Sequence, residues 1–294
     1  MAFTLAHMAA ALPFYRCQKW LNVEALFIGT MLPDLPYFLN SKPIVAQHSH
    51  QWVGLLSYCL PWGLAAFVLW HWLLKSALMA LIQPWQRVQG LTGHNHHSPQ
   101  ADLPQHPFGL WFTARFKRIG LFWIKVVMGL LLGAVTHLIW DGTTHPDGFI
   151  AMQLGLQYPV TIAYLGDIPM ARFLQYVSSL FALILLIGFT CSRWQVNVAI
   201  SKIQAANVYK GETHLRFSKG QSGMILLLLC LCCLVWALYN ALKWHKLLLN
   251  DNYLYLAKIL VGGLQGVGAF FFLYALLYWG MAVLLAQTVS QRPK

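Results

Sequence analysis

The stretch GLFWIKVVMGLLLGAVTHLIWDGTTHPDG, residues 120–148, carries the signals for both fold and chemistry in this chain. Its first part, Gly120 to Trp140, holds a single charged residue, Lys125. At about 1.5 Å rise per residue, such a run is long enough to cross the roughly 30 Å hydrocarbon layer of a bilayer as a helix. His137 falls in the last turn of that helix and Asp141 closes it. Positions four apart stack on one helical face, so the imidazole and the carboxylate point at a common object. Gly142 and Pro146 favour departure of the chain from the helix, which leaves His145 on a loop able to fold back. Taken alone, His137 and Asp141 read equally as a polar pair that fixes helix packing or as a functional pair, because ionisable groups within spans are costly.

Four further apolar runs have spanning length: Trp52 to Leu74, Leu174 to Cys191, Ser222 to Leu242 and Tyr255 to Gln287. Composition agrees. Of 294 residues 58% are apolar and 10% charged, against roughly 45–50% and about 25% in ordinary globular chains. This excludes a soluble globular protein and, by its hydrophobicity, a disordered one. Net charge is +12, but the basic residues are scattered singly between apolar runs, so no nucleic-acid partner is expected. The expected fold is all-α, a polytopic transmembrane helical bundle of about five spans with the lipid bilayer as its partner. Asn22 to Leu39 is apolar too, but Glu24, Gly29, Pro33, Asp34 and Pro36 interrupt it. A half-span, a re-entrant piece or an interfacial helix is expected there, so that the N-terminal helical segment is partly embedded.

Lys and Arg in the connections set the orientation. Twelve fall in residues 75–119, 192–221 and the C-terminal tail, and six fall in the N-terminal region, residues 141–173 and the fourth connection. The positive-inside rule then puts the C-terminus in the cytoplasm and the N-terminal region outside, in a bacterial cytoplasmic membrane. Among the six cysteines no framework is recognisable, and the N-terminus lacks the basic start of a cleavable signal peptide.

Polar residues gather on one side. QHSHQW brings His48 and His50 to the start of the first long span, and consecutive spans are antiparallel. The start of the first span and the end of the second therefore share a face, which makes His48, His50, His137, Asp141 and His145 co-facial. Asp34, near Pro33 and Pro36, reads either as a turn or helix-cap residue or as a member of this group; His7 reads as interfacial on its own. Imidazole and carboxylate together make a nitrogen and oxygen site suited to a divalent metal, with zinc first and manganese or iron as alternatives. Such an ion lowers the pKa of a bound water toward neutrality and polarises an ester or phosphoryl oxygen. His94, His96, His97 and His106 form a second histidine-rich stretch, read as a solvated loop. No GxSxG or phosphate-binding loop stands at a strand-to-helix turn.

TLAH at 4–7, GTMLPDLPYFL at 29–39, HSH at 48–50, GAVTHLIWDGTTHPDG at 133–148, and Gln175 with Ser178 and Ser179 follow one another along the chain. This order resembles an uncharacterised bacterial integral-membrane family related to the YdjM-like predicted membrane-bound metal-dependent hydrolases. The wider group's pattern corresponds here to His7, Pro33 with Asp34, Ser49 with His50, and His137 with Asp141. Gln51 stands where that pattern has Ser. The resemblance covers residues 1–190, which makes these the motif-bearing core of a single integral-membrane domain, 1–294, while residues 191–294 add a loop and two further spans. It implies a metal held by Asp34, His50, His137 and Asp141, with His7, His48 and His145 competing for a further ligand or catalytic proton-transfer role. The expected function is a metal-dependent hydrolase of an ester or phosphoester at the outer membrane–water interface, with a lipid or lipid-linked substrate. The competing expectation is a transporter, channel or assembly factor with a structural polar or metal cluster.

Overall fold

In a computed structural model the described residues are 4–86, 108–162, 166–204, 217–249 and 252–290. Five helical stretches are long and apolar enough to cross a membrane: Leu55–Ile82, Ile119–Gln153, Met170–Ser192, Lys219–Lys243 and Leu254–Leu285. They contain the five apolar runs of the sequence, apart from a few residues at some ends, so the protein is an all-α, multi-pass membrane protein. The backbone divides into two compact units, Met1–Val68 with His106–Cys191, and Leu69–Gln105 with Ser192–Lys294.

The first unit begins with a 3-10 helix, Thr4–Cys17. With about three residues per turn, Thr4, His7 and Ala10 line up along one side of it. Three short helices follow: α1, Val23–Gly29, α2, Leu35–Phe38, and α3, Pro43–Ser49. Asn22 caps α1, its side-chain oxygen accepting from the Ala25 amide at 2.9 Å. Neither α1 nor α2 has the length to cross a membrane, because Pro33 in the turn between them and Pro36 in the first turn of α2 break the apolar stretch. The first span enters through a π-turn at Leu55–Cys59 and continues as α4, Leu60–Leu69, a second π-turn at Trp70–Leu74, and α5, Lys75–Gln86. The second lies in α6, Phe108–Thr144. Helix α7, Phe149–Gln153, and an antiparallel pair, β1 Pro159–Ile162 and β2 Gly166–Pro169, lead to α8, Met170–Gln204.

Helices α1 and α6 pack backbone to backbone. A Cβ at Gly133 would lie 2.3 Å from the Leu26 carbonyl oxygen, and one at Gly29 would lie 2.4 Å from that of Leu130. Ala25 with Gly29 and Gly129 with Gly133 are thus facing small-x-x-x-small pairs, a spacing that lets membrane helices approach closely. Leu26, Val126, Leu130 and Ala134 are buried along this seam. The sequence reading ended the second span at Asp141 and let the chain leave at Gly142. Instead α6 runs on to Thr144, with the Thr143 and Thr144 hydroxyls each donating to a carbonyl one turn back at 2.9 Å. Gly142 serves packing there, since a Cβ would lie 2.4 Å from the Phe149 ring.

The second unit contains α5, α9, Lys219–Lys243, and α10, Asn252–Ser290. A capping box starts α9: Ser218 and Gln221 exchange side-chain and backbone hydrogen bonds. Ala77, Ala80, Ala275 and Tyr278 form the buried core. Around it, side chains donate to carbonyls of the neighbouring helix: Tyr274 to Ala77 at 3.0 Å, Trp279 to Leu73 at 3.1 Å, and Ser222 to Leu81. Leu227, Leu234, Val235 and Leu238 of α9 are exposed, as suits a helix whose solvent is lipid.

Candidate metal centre

The 30–34 turn delivers Asp34 to the interior of the first unit. It stands at the N-cap position of α2 but makes no capping hydrogen bond. The residue is 2% exposed, and its carboxylate faces three partners: Thr4 Oγ1 donates to Oδ2 at 2.5 Å, while Oδ1 lies 3.4 Å from His50 Nε2 and 3.8 Å from His137 Nε2. Asp141 completes the group, with Oδ2 at 3.2 Å from His137 Nε2 and 3.6 Å from His50 Nε2. One donor atom from each of Asp34, His50, His137 and Asp141 lies within 4.8 Å of the other three.

Backbone carbonyls orient both rings. His137 Nδ1 lies 2.7 Å from the Thr30 oxygen, and His50 Nδ1 lies 2.8 Å from the Ala46 oxygen. Each carbonyl only accepts, so each Nδ1 carries a proton and aims Nε2 inward, the arrangement by which a hydrogen-bond acceptor behind a metal-ligating histidine fixes its ring. Close packing of α1 on α6 brings the Thr30 carbonyl to His137. Ser49, fully buried, donates to the Pro33 and Ala46 carbonyls and ties α3 to the turn that holds Asp34.

These donors fit a cation. Ligands at 2.0–2.2 Å from a tetrahedral ion are separated from one another by about 3.3–3.6 Å. The four contacts above straddle that spacing. His137 Nε2 is buried with no hydrogen-bond partner and faces two carboxylate oxygens, an array of acceptors that only a proton or a metal ion reconciles. Burial opposes ionisation of Asp34, yet His137 and the bond to His50 hold its carboxyl well below the usual carboxylate range. For His50, burial is outweighed by its bonds to Asp141 and Asp34, which push it up to about 10. Without metal, His50 therefore keeps a proton between the two carboxylates. His7 is depressed to about 3, first by burial and then by His137.

His7 stacks on His137 with centroids 3.9 Å apart and puts Nε2 3.3 Å from Asp141 Oδ1. His145 follows α6 directly and folds back, Nδ1 lying 3.5 Å from the same oxygen. His48 does not join the group: its Nε2 is engaged by Ser57 Oγ at 2.7 Å. Residues two apart on a helix point about 200° apart, so when His50 faces inward His48 cannot. Gln51 is exposed, outside the cluster. His94, His96, His97 and His106 lie outside the described residues.

Residues 1–277 match the family described as a domain of unknown function, DUF4184. The chain belongs to the DUF4184 family. No curated protein matches it, and no solved structure does. The DUF4184 region runs from the N-terminal 3-10 helix into α10 and includes every donor of the cluster. In this DUF4184 chain the sequence reading missed Thr4, which holds Asp34, and the carbonyls of Thr30 and Ala46. The carbonyls have no side-chain signal. The Ala25–Gly29 and Gly129–Gly133 spacings were there to read, and they point to the packing that brings Thr30 to His137.

Proposed function

We propose that this chain is a membrane-bound, metal-dependent hydrolase acting on an ester or phosphoester at the membrane–water interface. The observation that carries this reading is the convergence of Asp34, His50, His137 and Asp141 on one point, with the buried Nε2 of His137 unpartnered. Two imidazoles and two carboxylates suit zinc first and manganese or iron next. A divalent ion held by them supplies Lewis acidity toward an ester or phosphoryl oxygen and lowers the pKa of water toward neutrality. Thr4 orients Asp34, and the Thr30 and Ala46 carbonyls orient the two rings. His7 and His145, both beside Asp141 Oδ1, are placed for either a further ligand role or proton transfer to and from the reacting group.

An open apolar groove of about 410 Å³, lined by Ala10, Thr136, Trp140, Thr143, Thr144 and Ser178 among others, favours a lipid or lipid-linked substrate. Trp140, which lines the groove, also packs edge-on against His7 at 5.7 Å, so the groove lies next to the donor cluster. The resemblance to the YdjM-like hydrolases supports the same reading. The Lys and Arg balance favours a bacterial cytoplasmic membrane with the centre on the outer face and the C-terminus in the cytoplasm.

Elemental analysis of the purified protein beside its His137→Ala and Asp141→Ala variants tests the site, and hydrolysis of a lipid and phosphoester panel tests the reaction. Stoichiometric metal in the parent, lost from both variants while they remain folded, is the expected result. Metal content that is unchanged in the variants, or a loaded parent inert toward every ester in the panel, would defeat the proposal.

A further inference from the structure

Asp141 commits only half of its carboxylate to the four-donor cluster. Oδ2 faces His50 and His137, whereas Oδ1 faces the other way, toward His7 Nε2 at 3.3 Å and His145 Nδ1 at 3.5 Å. Neither Asp141 Oδ1 nor His145 Nδ1 has a hydrogen-bond partner, although both atoms are buried. We propose that Asp141 Oδ1, His7 Nε2 and His145 Nδ1 hold a second divalent transition-metal ion, with the Asp141 carboxylate bridging it to the first.

This inference rests on the reading of the four-donor cluster as a metal site. Its own support is separate. Both contacts of Oδ1 match the spacing of about 3.3–3.6 Å between neighbouring ligands of a tetrahedral ion. Ordinary hydrogen bonding does not account for the arrangement, because an N–H from either ring aimed at Oδ1 would have given that oxygen a partner. A carboxylate with one oxygen on each ion is a natural bridge for paired ions about 3.5–4 Å apart.

The surroundings of His145 suit the assignment. His145 Nε2 lies 3.3 Å from the side-chain amide of the buried Gln175 on α8. Turned so that its oxygen accepts, this amide keeps the proton on Nε2 and leaves the Nδ1 lone pair for a metal. His7 reaches the position because the 3-10 helix sets it in line with Thr4, so one short segment contacts both Asp34 and Asp141. The His145 side chain is 28% exposed, which leaves the second ion on the open side of the first, where a substrate oxygen or water can complete its coordination.

The test uses the full-length protein in detergent, stripped with chelator, reloaded with Mn(II) and freed of excess ion by gel filtration. Two ions per chain with an exchange-coupled EPR spectrum are expected in the parent. His145→Ala and His7→Ala should each hold one ion, with the six-line spectrum of an isolated Mn(II); His145→Ala serves if His7→Ala fails to fold. Gln175→Ala should weaken the second ion about 10–100-fold. One ion in the parent, unchanged in His145→Ala, would overturn the second site and leave the four-donor site standing. Two ions retained by both histidine variants would also overturn it. A parent that takes up no metal would overturn both sites.

Discussion

The two units use the same membrane-helix vocabulary for different ends. In the first, glycines draw α1 against α6 and the space so organised is filled with carboxylates and imidazoles. In the second, aromatic and hydroxyl side chains tie helix to helix through carbonyls, and no carboxylate occurs among its described residues. Close helix packing is thus common to both, whereas chemistry follows where the scarce acidic residues were placed. A buried carboxylate needs partners at hand, and Asp34 and Asp141 are surrounded by four histidines that meet that need.

The sharpest way to break the contrast is to overpack each unit at a glycine. Gly133→Val would drive side-chain atoms into the Leu26 carbonyl, costing about 1–3 kcal/mol or more, and would push the Thr30 carbonyl away from His137. A lowered Tm together with loss of bound metal is expected. Gly262→Val meets Asn240, whose Cγ would lie 2.5 Å from the new Cβ. It should lower Tm by a similar amount and leave metal content intact, as thermal unfolding and elemental analysis of the same samples would reveal.

Thr4→Val is the next largest change. It removes the one hydroxyl that orients Asp34 while keeping the shape, and metal affinity should fall about 10–100-fold in a competition titration with a chelating dye. Affinity unchanged in this variant would mean that the histidines alone hold Asp34 in place.

A pH series sharpens the electrostatic side. The pKa of His50 is raised to about 10, so at neutral pH a metal must displace its proton. Uptake should release at least one proton per first-site ion, that of His50, and apparent affinity should rise at least about tenfold per pH unit between pH 7 and 9, the His50 contribution flattening as pH passes through about 10. Calorimetry in buffers of different ionisation enthalpy counts the proton directly. Smallest of all, Ser222→Ala in the second unit should cost about 1 kcal/mol for one lost hydroxyl-to-carbonyl bond, with metal content unaltered.

Much of this was legible in the sequence, for identifiable reasons. The spans follow from length and apolarity alone. Asp34, His50, His137 and Asp141 emerge from motif resemblance joined to the topological fact that neighbouring spans are antiparallel. What stayed hidden depends on local rotation or distant contact. Position alone does not say which histidine of HSH faces inward, a choice that only the resemblance makes, and nothing near Thr4 announces a carboxylate thirty residues away. Gly142 looked like a helix terminator because glycine often is one; here the close approach of Phe149 explains it instead.

The 3-10 geometry of the N-terminal segment has its own corollary for engineering. Thr4 and His7 reach their targets because they are one three-residue repeat apart, so the segment tolerates no change of length between them. Inserting one residue between them would swing the two side chains about 120° out of step, leaving either Asp34 or Asp141 without its contact. Insertion of three would restore their shared direction but displace one of them by about 6 Å along the axis.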